Sequence, residues 1–196
     1  MDLKKQTVET YNRSVPGLAQ KFANFGPRIS DIEKGFSYIS KGNPNVLEIG
    51  CGYGREAKEI LKHTDRYLGM DISEEMIKMA KTELPNCNFE IADIDDYVFP
   101  KDLDIIFSFA SLLHSDKEHL KLILERAYGS LNQNGIFYIS LKHDKYHSET
   151  KEDEFGIRTY FYYTPEDIKE LNNKFVVVYE DKHERGDQNW FTIILK

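Results

Sequence analysis

The chain has 196 residues, 40% of them hydrophobic and 13% aromatic, which suits one sizeable core and argues against disorder. A formal charge of −7 argues against a nucleic-acid polymer as partner, because neutralising phosphates takes a basic face. Cys51 and Cys87 stand outside any C-x-x-C spacing, no apolar run approaches the ~18–20 residues that span a bilayer, and the first residues lack a signal peptide's apolar stretch. The expectation is a single soluble, cytoplasmic domain with no disulfide framework.

Residues 1–43 read as helices. Leu3, Val8 and Tyr11 roughly keep helical spacing, and Pro16-Gly17 interrupts it. Leu18, Phe22 and Phe25 form a second apolar set, broken at Gly26-Pro27. A third helix is predicted over Ile29 to Ile39, with Ile32, Phe36 and Ile39 on one face and Gly42-Asn43-Pro44 closing it.

The stretch from Val46 to Asp71 then changes character. Val46 to Ile49 is short and apolar, as for a buried strand, and Gly50, Gly52 and Gly54 follow. A helical pattern runs from Arg55 to about His63, and a second apolar run, Tyr67 to Met70, ends on Asp71. Strand, glycine turn, helix, strand and acid is a recipe for holding an adenosine cofactor at a strand's C-terminal edge. The dinucleotide spacing G-x-G-x-x-G would need glycine at position 55, where Arg55 stands. The third glycine falls one place early.

Downstream, Ser73 is a helix N-cap with Glu74 and Glu75 in the first turn, and Met76, Ile77 and Ala80 make that helix's apolar stripe. Asn88 to Ala92 is predicted as a third strand leading into Asp93-Ile94-Asp95-Asp96. Leu103 to Phe109 is a near-continuous apolar run, as for a central strand covered on both faces. A loop, Ala110 to His114, precedes a helix with Leu120, Ile123, Leu124 and Ala127 at core spacing. Leu131 to Gly135 is a turn cluster before a strand over Ile136 to Leu141. Arg158 to Tyr163 is an aromatic run, and Thr164-Pro165-Glu166-Asp167 opens a capped helix. Phe175 to Tyr179 and Trp190 to Leu195, joined through Gly186, suggest an antiparallel hairpin.

The string Glu48-x-Gly50-x-Gly52-x-Gly54, with Asp71 after it, resembles motif I of the class I S-adenosylmethionine-dependent methyltransferases, of the small-molecule, type 11/25-like kind. Leu103 to Phe109 resembles that family's motif IV, and Leu131 to Gly135 its L-x-P-G-G turn, with asparagine and glutamine at the usual proline and glycine positions. The resemblance covers residues 46–196 and implies an α/β fold: a Rossmann-like seven-stranded sheet of order 3-2-1-4-5-7-6, last strand antiparallel, helices on both faces. Residues 1–43 would be a helical N-terminal cap on a 44–196 core.

It also implies a cofactor, S-adenosyl-L-methionine, with S-adenosyl-L-homocysteine as product. Glu48, Gly50, Cys51, Gly52 and Gly54 would meet its methionyl part, Asp71 its ribose, Ile72 its adenine, Asp93 and Ile94 the adenine edge, and the Phe109 backbone its amino-acid end. Asp93 to Asp96 otherwise reads as a solvated acidic loop, and Cys51 as a small structural residue of the turn. His114 is the candidate general base; otherwise it is a loop histidine bonded to a backbone carbonyl. Tyr11 and Tyr163 are candidate acceptor or cap residues. His143, Asp144 and His147 form an HDKYH cluster without the family's metal pattern, and no metal is expected.

The function implied is methyl transfer by in-line displacement to a small-molecule acceptor, in a monomer or homodimer, with neither DNA nor membrane as partner. The alternatives are a non-catalytic S-adenosylmethionine-binding regulatory module, a protein or RNA methyltransferase, and an NAD-dependent enzyme, against which Arg55 already weighs.

Overall fold

The computed structural model describes residues 2–196. The described residues form nine strands: β1 (Val46–Ile49), β2 (Tyr67–Asp71), β3 (Asn88–Ile91), β4 (Leu103–Phe109), β5 (Leu131–Lys142), β6 (His147–Asp153), β7 (Gly156–Tyr162), β8 (Val177–Arg185) and β9 (Gln188–Leu195). Seven of them make one sheet in the order β3-β2-β1-β4-β5-β9-β8, and β6 and β7 pair separately. β9 is antiparallel to both β5 and β8, while β1 to β5 pair in parallel. With the extra hairpin set aside, this is the expected 3-2-1-4-5-7-6.

Side-chain alternation splits the core between the faces of the sheet. Leu47, Ile49, Ile106, Phe137, Ile139 and Ile193 pack with Leu120, Ile123, Leu124 and Ala127 of α6 (Lys117–Tyr128). Val46, Ile105, Phe107, Ile136, Tyr138 and Ile194 pack on the other side with Ile32, Ala57, Ile60, Ile77 and Ala80. Every residue of β4 is buried, which explains its near-continuous apolar run, interrupted only by Asp104 and Ser108. Each such side chain contributes ~1.5–3 kcal/mol relative to exposure.

The helices follow their caps more than their apolar spacing. Asp2 caps α1 (Leu3–Arg13) by accepting from the Lys5 N–H at 3.1 Å. The predicted break at Pro16-Gly17 falls instead at Ser14, and Pro16 lies in the first turn of α2 (Val15–Ala23), where a missing N–H costs nothing. α3 (Ile29–Phe36) stops short of Ile39. The helix expected from Arg55 to His63 regularises only as α4 (Ala57–Ile60), because Lys62 and His63 bond to carbonyls three residues back, the tighter 3-10 pitch. α5 (Glu74–Glu83) is capped by Ser73, whose side chain accepts from the Met76 N–H, and α7 (Pro165–Leu171) carries the reciprocal Thr164–Asp167 capping box.

Two other segments differ from expectation. β5 begins at Leu131, opposite Leu103, but its next pair is Ile136 with Ile105, so Asn132 to Gly135 bulge out of register. Asn132 fills the bulge by donating to Asp104 at 2.7 Å. In the HDKYH segment Asp144 to Tyr146 form an exposed bend whose ends are engaged, His143 by a bridge to Tyr163. His147 opens β6, its ring stacked on Tyr162 with centroids 4.4 Å apart.

β7 is strapped to α1. The Thr7 hydroxyl accepts from the Thr159 N–H at 3.1 Å, and Thr10 and Ser14 donate to the carbonyls of Ile157 and Phe155 at 2.7 and 2.6 Å. The first helix therefore lies across the C-terminal edge of the sheet, held by the added hairpin.

Candidate active site

At that edge β1 runs into the glycine turn. The N–H groups of Gly50 and Cys51 both donate to the Met70 carbonyl, at 2.8 and 3.0 Å, and tie the turn to β2. Gly50 and Gly52 adopt φ of +71° and +53°, where a Cβ is disfavoured. A Cβ on Gly50 would collide with the Ser111 side chain, while one on Gly52 would stand in open space.

Asp71, ending β2, closes the same unit. Its carboxylate accepts the Gly52 N–H at 2.9 Å and the Ser73 N–H at 2.8 Å. Burial pushes its pKa up while those backbone donors pull it down. Two oxygens with about four lone-pair sites leave room for further donors.

The turn opens onto a cavity of about 720 Å³, inside the ~300–1,000 Å³ range of small-molecule sites. Of the residues singled out from sequence, Gly50, Cys51, Gly52, Asp71, Ile72, Asp93, Ile94, Phe109, His114 and Tyr11 line it. Asp93 is already engaged: Lys4 of α1 donates to it at 2.6 Å and also bonds Asp95. Burial raises the Cys51 thiol's pKa, so it stays protonated and serves as a small wall residue.

Three assignments need correction. Glu48 lies beneath the turn, 1% exposed, and accepts the Tyr67 hydroxyl at 2.5 Å. Burial, foremost, pushes its pKa up to about 8, so it is a neutral core group and no wall of the cavity. Gly54 turns toward Phe89, Leu84 and Ala80 instead of the cavity. Tyr163 is fully buried and donates to the Ser115 carbonyl at 2.6 Å; from the β7 strand, Thr159 and Phe161 reach the cavity instead.

His114 lies in the cavity wall, in the short 3-10 segment Leu112–His114 after β4. Its Nδ1 lies 2.6 Å from the Thr159 carbonyl, which can only accept, so Nδ1 carries the proton and Nε2 the lone pair. The Tyr11 hydroxyl stands 3.1 Å from Nε2 and donates to it. Burial, with Arg158 and Lys142 adding like charge, pushes the His114 pKa down to about 4 despite the bonded carbonyl. The histidine thus lines the cavity and is bonded to a backbone carbonyl.

Sequence reasoning passed over a second group in the wall: Arg28, Arg185, Gln188 and Trp190. Arg28 enters α3 and donates to Ser140 of β5 at 3.2 Å; the others come from the β8–β9 hairpin. Only Trp190, the chain's one tryptophan, offered a signal.

Comparison with known proteins places this geometry. A family model described as a methyltransferase domain matches residues 46–135, from the start of β1 to the β5 bulge. Malonyl-[acyl-carrier protein] O-methyltransferase 1 of Ilyobacter polytropus is 29% identical over 76% of this chain and 56% of its own length. Trans-aconitate 2-methyltransferase of Rhodopseudomonas palustris is 30% identical over 49% of this chain and 38% of its own. From β1 to the β5 bulge the chain is similar to S-adenosylmethionine-dependent methyltransferases.

It spans about half the length, or less, of the curated methyltransferases it matches. Among solved structures, a Burkholderia thailandensis 1,6-didemethyltoxoflavin N1-methyltransferase superposes with a TM-score of 0.76 at 16% identity, covering 96% of this chain and 85% of that one. A Leishmania major methyltransferase gives 0.79 at 16%, covering 99% and 83%. At such identities the likeness is one of fold.

S-adenosylmethionine, the cofactor implied by that similarity, fits this chain's own residues. Gly52 leaves open space where any other residue would place a Cβ, and Asp71 keeps spare acceptor sites at the cavity wall. Asp93 and Ile94 stand where β3 ends, on the same cavity.

Proposed function

We propose that the chain transfers a methyl group from S-adenosylmethionine to a small molecule held beside it in the 720 Å³ cavity. One observation carries the reading: the glycine turn, Asp71 and Asp93 line the same cavity as His114 and Tyr11. In this reading the turn's backbone at Gly50, Cys51 and Gly52 takes the methionyl part, Asp71 the ribose hydroxyls, and Asp93 with the Ile94 N–H the adenine edge. Ile72 packs on the adenine and the Phe109 backbone faces the amino-acid end. Residues 2–43 act as the cap, with Leu3, Lys4, Thr7, Val8 and Tyr11 roofing the cavity.

When bound, the cofactor supplies a methyl group already activated on a sulfonium. The protein's task is then to orient the acceptor and exclude water, and orientation alone is worth ~7–11 kcal/mol of barrier. α1 and β7 exclude the water. His114 stays neutral at physiological pH, and its Nε2 lone pair, shared with Tyr11, orients a donor on the acceptor. With a pKa of about 4 it is a weak base, which suits an acceptor atom that needs no proton removed.

A roofed cavity favours a small acceptor over a peptide or an RNA, which need an open groove. The space beyond the turn, out to Trp190, favours an enzyme over a silent binding module.

Calorimetric titration with S-adenosylmethionine, S-adenosylhomocysteine and NAD tests the reading, with Asp71→Ala as control. Binding of both sulfur compounds, absent for NAD and lost in the variant, is expected. No binding of either would overturn it.

A further inference from the structure

The far end of the cavity is built for a negative charge. Arg28 is 6% exposed, and its Nε has no hydrogen-bond partner. Its one ion-pair partner among the described residues, Asp31, reaches one terminal nitrogen at 3.4 Å, a long contact for an ion pair. The Trp190 Nε1–H is likewise buried and unpartnered, and the Arg28 guanidinium lies 5.5 Å from the Trp190 ring centroid. Arg185 adds a second guanidinium with no ion-pair partner among the described residues, packed over Phe25 at 5.5 Å. Arg55 also lines the cavity, but Glu56 pairs with it at 2.6 Å and matches its charge.

Buried donors left unpaired cost ~1–3 kcal/mol each in lost hydration, and these two belong to residues of the cavity wall beside the half-buried Arg185. The fork of an arginine matches a carboxylate two bonds at a time. Burial also lowers the pKa of both Arg28 and Arg185, with the like charge of Arg55 adding to it and Asp31 and Glu56 opposing it.

The place of this group in the sheet separates it from the glycine turn. The turn and Asp71 belong to β1 and β2, whereas Ser140 and Trp190, which flank Arg28, belong to β5 and β9. β4 and β5 intervene between β1 and β9, so at ~4.8 Å per strand spacing the two ends lie on the order of 14 Å apart.

We propose that Arg28, Arg185 and Trp190 bind a carboxylate of the methyl acceptor, so that the substrate is a small carboxylic acid anchored at this end and presented toward the turn. This rests on the methyltransferase reading above and names its substrate class.

The test is calorimetric titration of the S-adenosylhomocysteine-loaded protein with malonate and citrate, and with their methyl esters, in a buffer free of other carboxylates. At least one acid should bind saturably and its ester about tenfold or more weaker. Arg185→Gln should weaken acid binding by about 10- to 100-fold, the worth of a charged hydrogen-bonded contact, while S-adenosylhomocysteine affinity holds. Trp190→Phe, which keeps an aromatic ring but removes the donor and part of the ring system, should weaken it several-fold.

The proposal is overturned if neither acid binds, or if Arg185→Gln leaves acid binding intact. It is equally overturned if Arg28→Gln and Arg185→Gln weaken S-adenosylhomocysteine but spare 5′-methylthioadenosine, which lacks the amino-acid carboxylate. The pole would then serve the cofactor's own carboxylate. A loaded state that never forms would sink the methyltransferase reading itself, and this proposal with it.

Discussion

The hydroxyl of Tyr11 donates to Nε2 of His114 across 3.1 Å, joining the first helix to the loop that follows β4. The Thr159 carbonyl holds the other ring nitrogen at 2.6 Å, so the imidazole is fixed from both sides. Tyr11→Phe removes one of these bonds. It should cost about 1 kcal/mol of stability, measurable by denaturant titration, and lower turnover while leaving S-adenosylhomocysteine affinity unchanged. Weakened cofactor binding in the variant would place Tyr11 on the cofactor instead.

The same histidine makes stability depend on pH. Its pKa falls from an ordinary 6.5 to about 4 on folding, so between those values the unfolded chain binds a proton that the folded chain refuses. The contribution of this group should therefore decline as pH drops from about 6.5 toward 4, by on the order of 2–3 kcal/mol, and be constant above 6.5, while Glu48, raised to about 8, imposes the opposite slope. Thermal melts of wild type and His114→Gln across that window measure it. Parallel curves would show that His114 is not the group responsible.

Gly52→Ala separates fold from binding. Its Cβ would meet no protein atom, so the fold should lose only the ~1–2 kcal/mol of a left-handed alanine. That methyl would stand where the cofactor is proposed to lie, and S-adenosylhomocysteine affinity should fall by well over a factor of ten. An unchanged affinity in a folded variant would move the cofactor off the turn.

Lys4 reaches from α1 to Asp93 and Asp95. Its side chain is 40% exposed, so the ion pairs add little to stability, ~0–1 kcal/mol. Their effect should be on access. Lys4→Ala is expected to speed release of S-adenosylhomocysteine several-fold in stopped-flow displacement, with thermal stability barely altered, and added salt should mimic it in wild type.

What the sequence made legible is what the chain encodes locally. Gly50, Gly52 and Asp71 belong to one strand–turn–helix–strand unit, so spacing alone placed them on one wall. The near-continuous apolar run of β4 and the Thr164–Asp167 box were legible for the same reason. Glu48 was misplaced because a motif letter carries no direction: β1 alternates, and its acid points into the core. β6 went unseen because its residues, HSETKED, are polar and mostly exposed, leaving no apolar period to read. Arg28 and Trp190 are far apart in sequence and meet only when α3 crosses β5 and β9. No local pattern announces such a pair.

The position of β9 has a consequence for how the cavity is assembled. β9 lies between β5 and β8 although it follows both in the chain. β8 therefore has nothing to pair with on the sheet until residues 188–195 have been made. The turn and Asp71, built from consecutive segments, have no such wait. The two ends of the cavity should thus acquire structure in succession, the cofactor end first and the arginine end last. A partly folded chain would hold a nucleoside pocket with one side still missing.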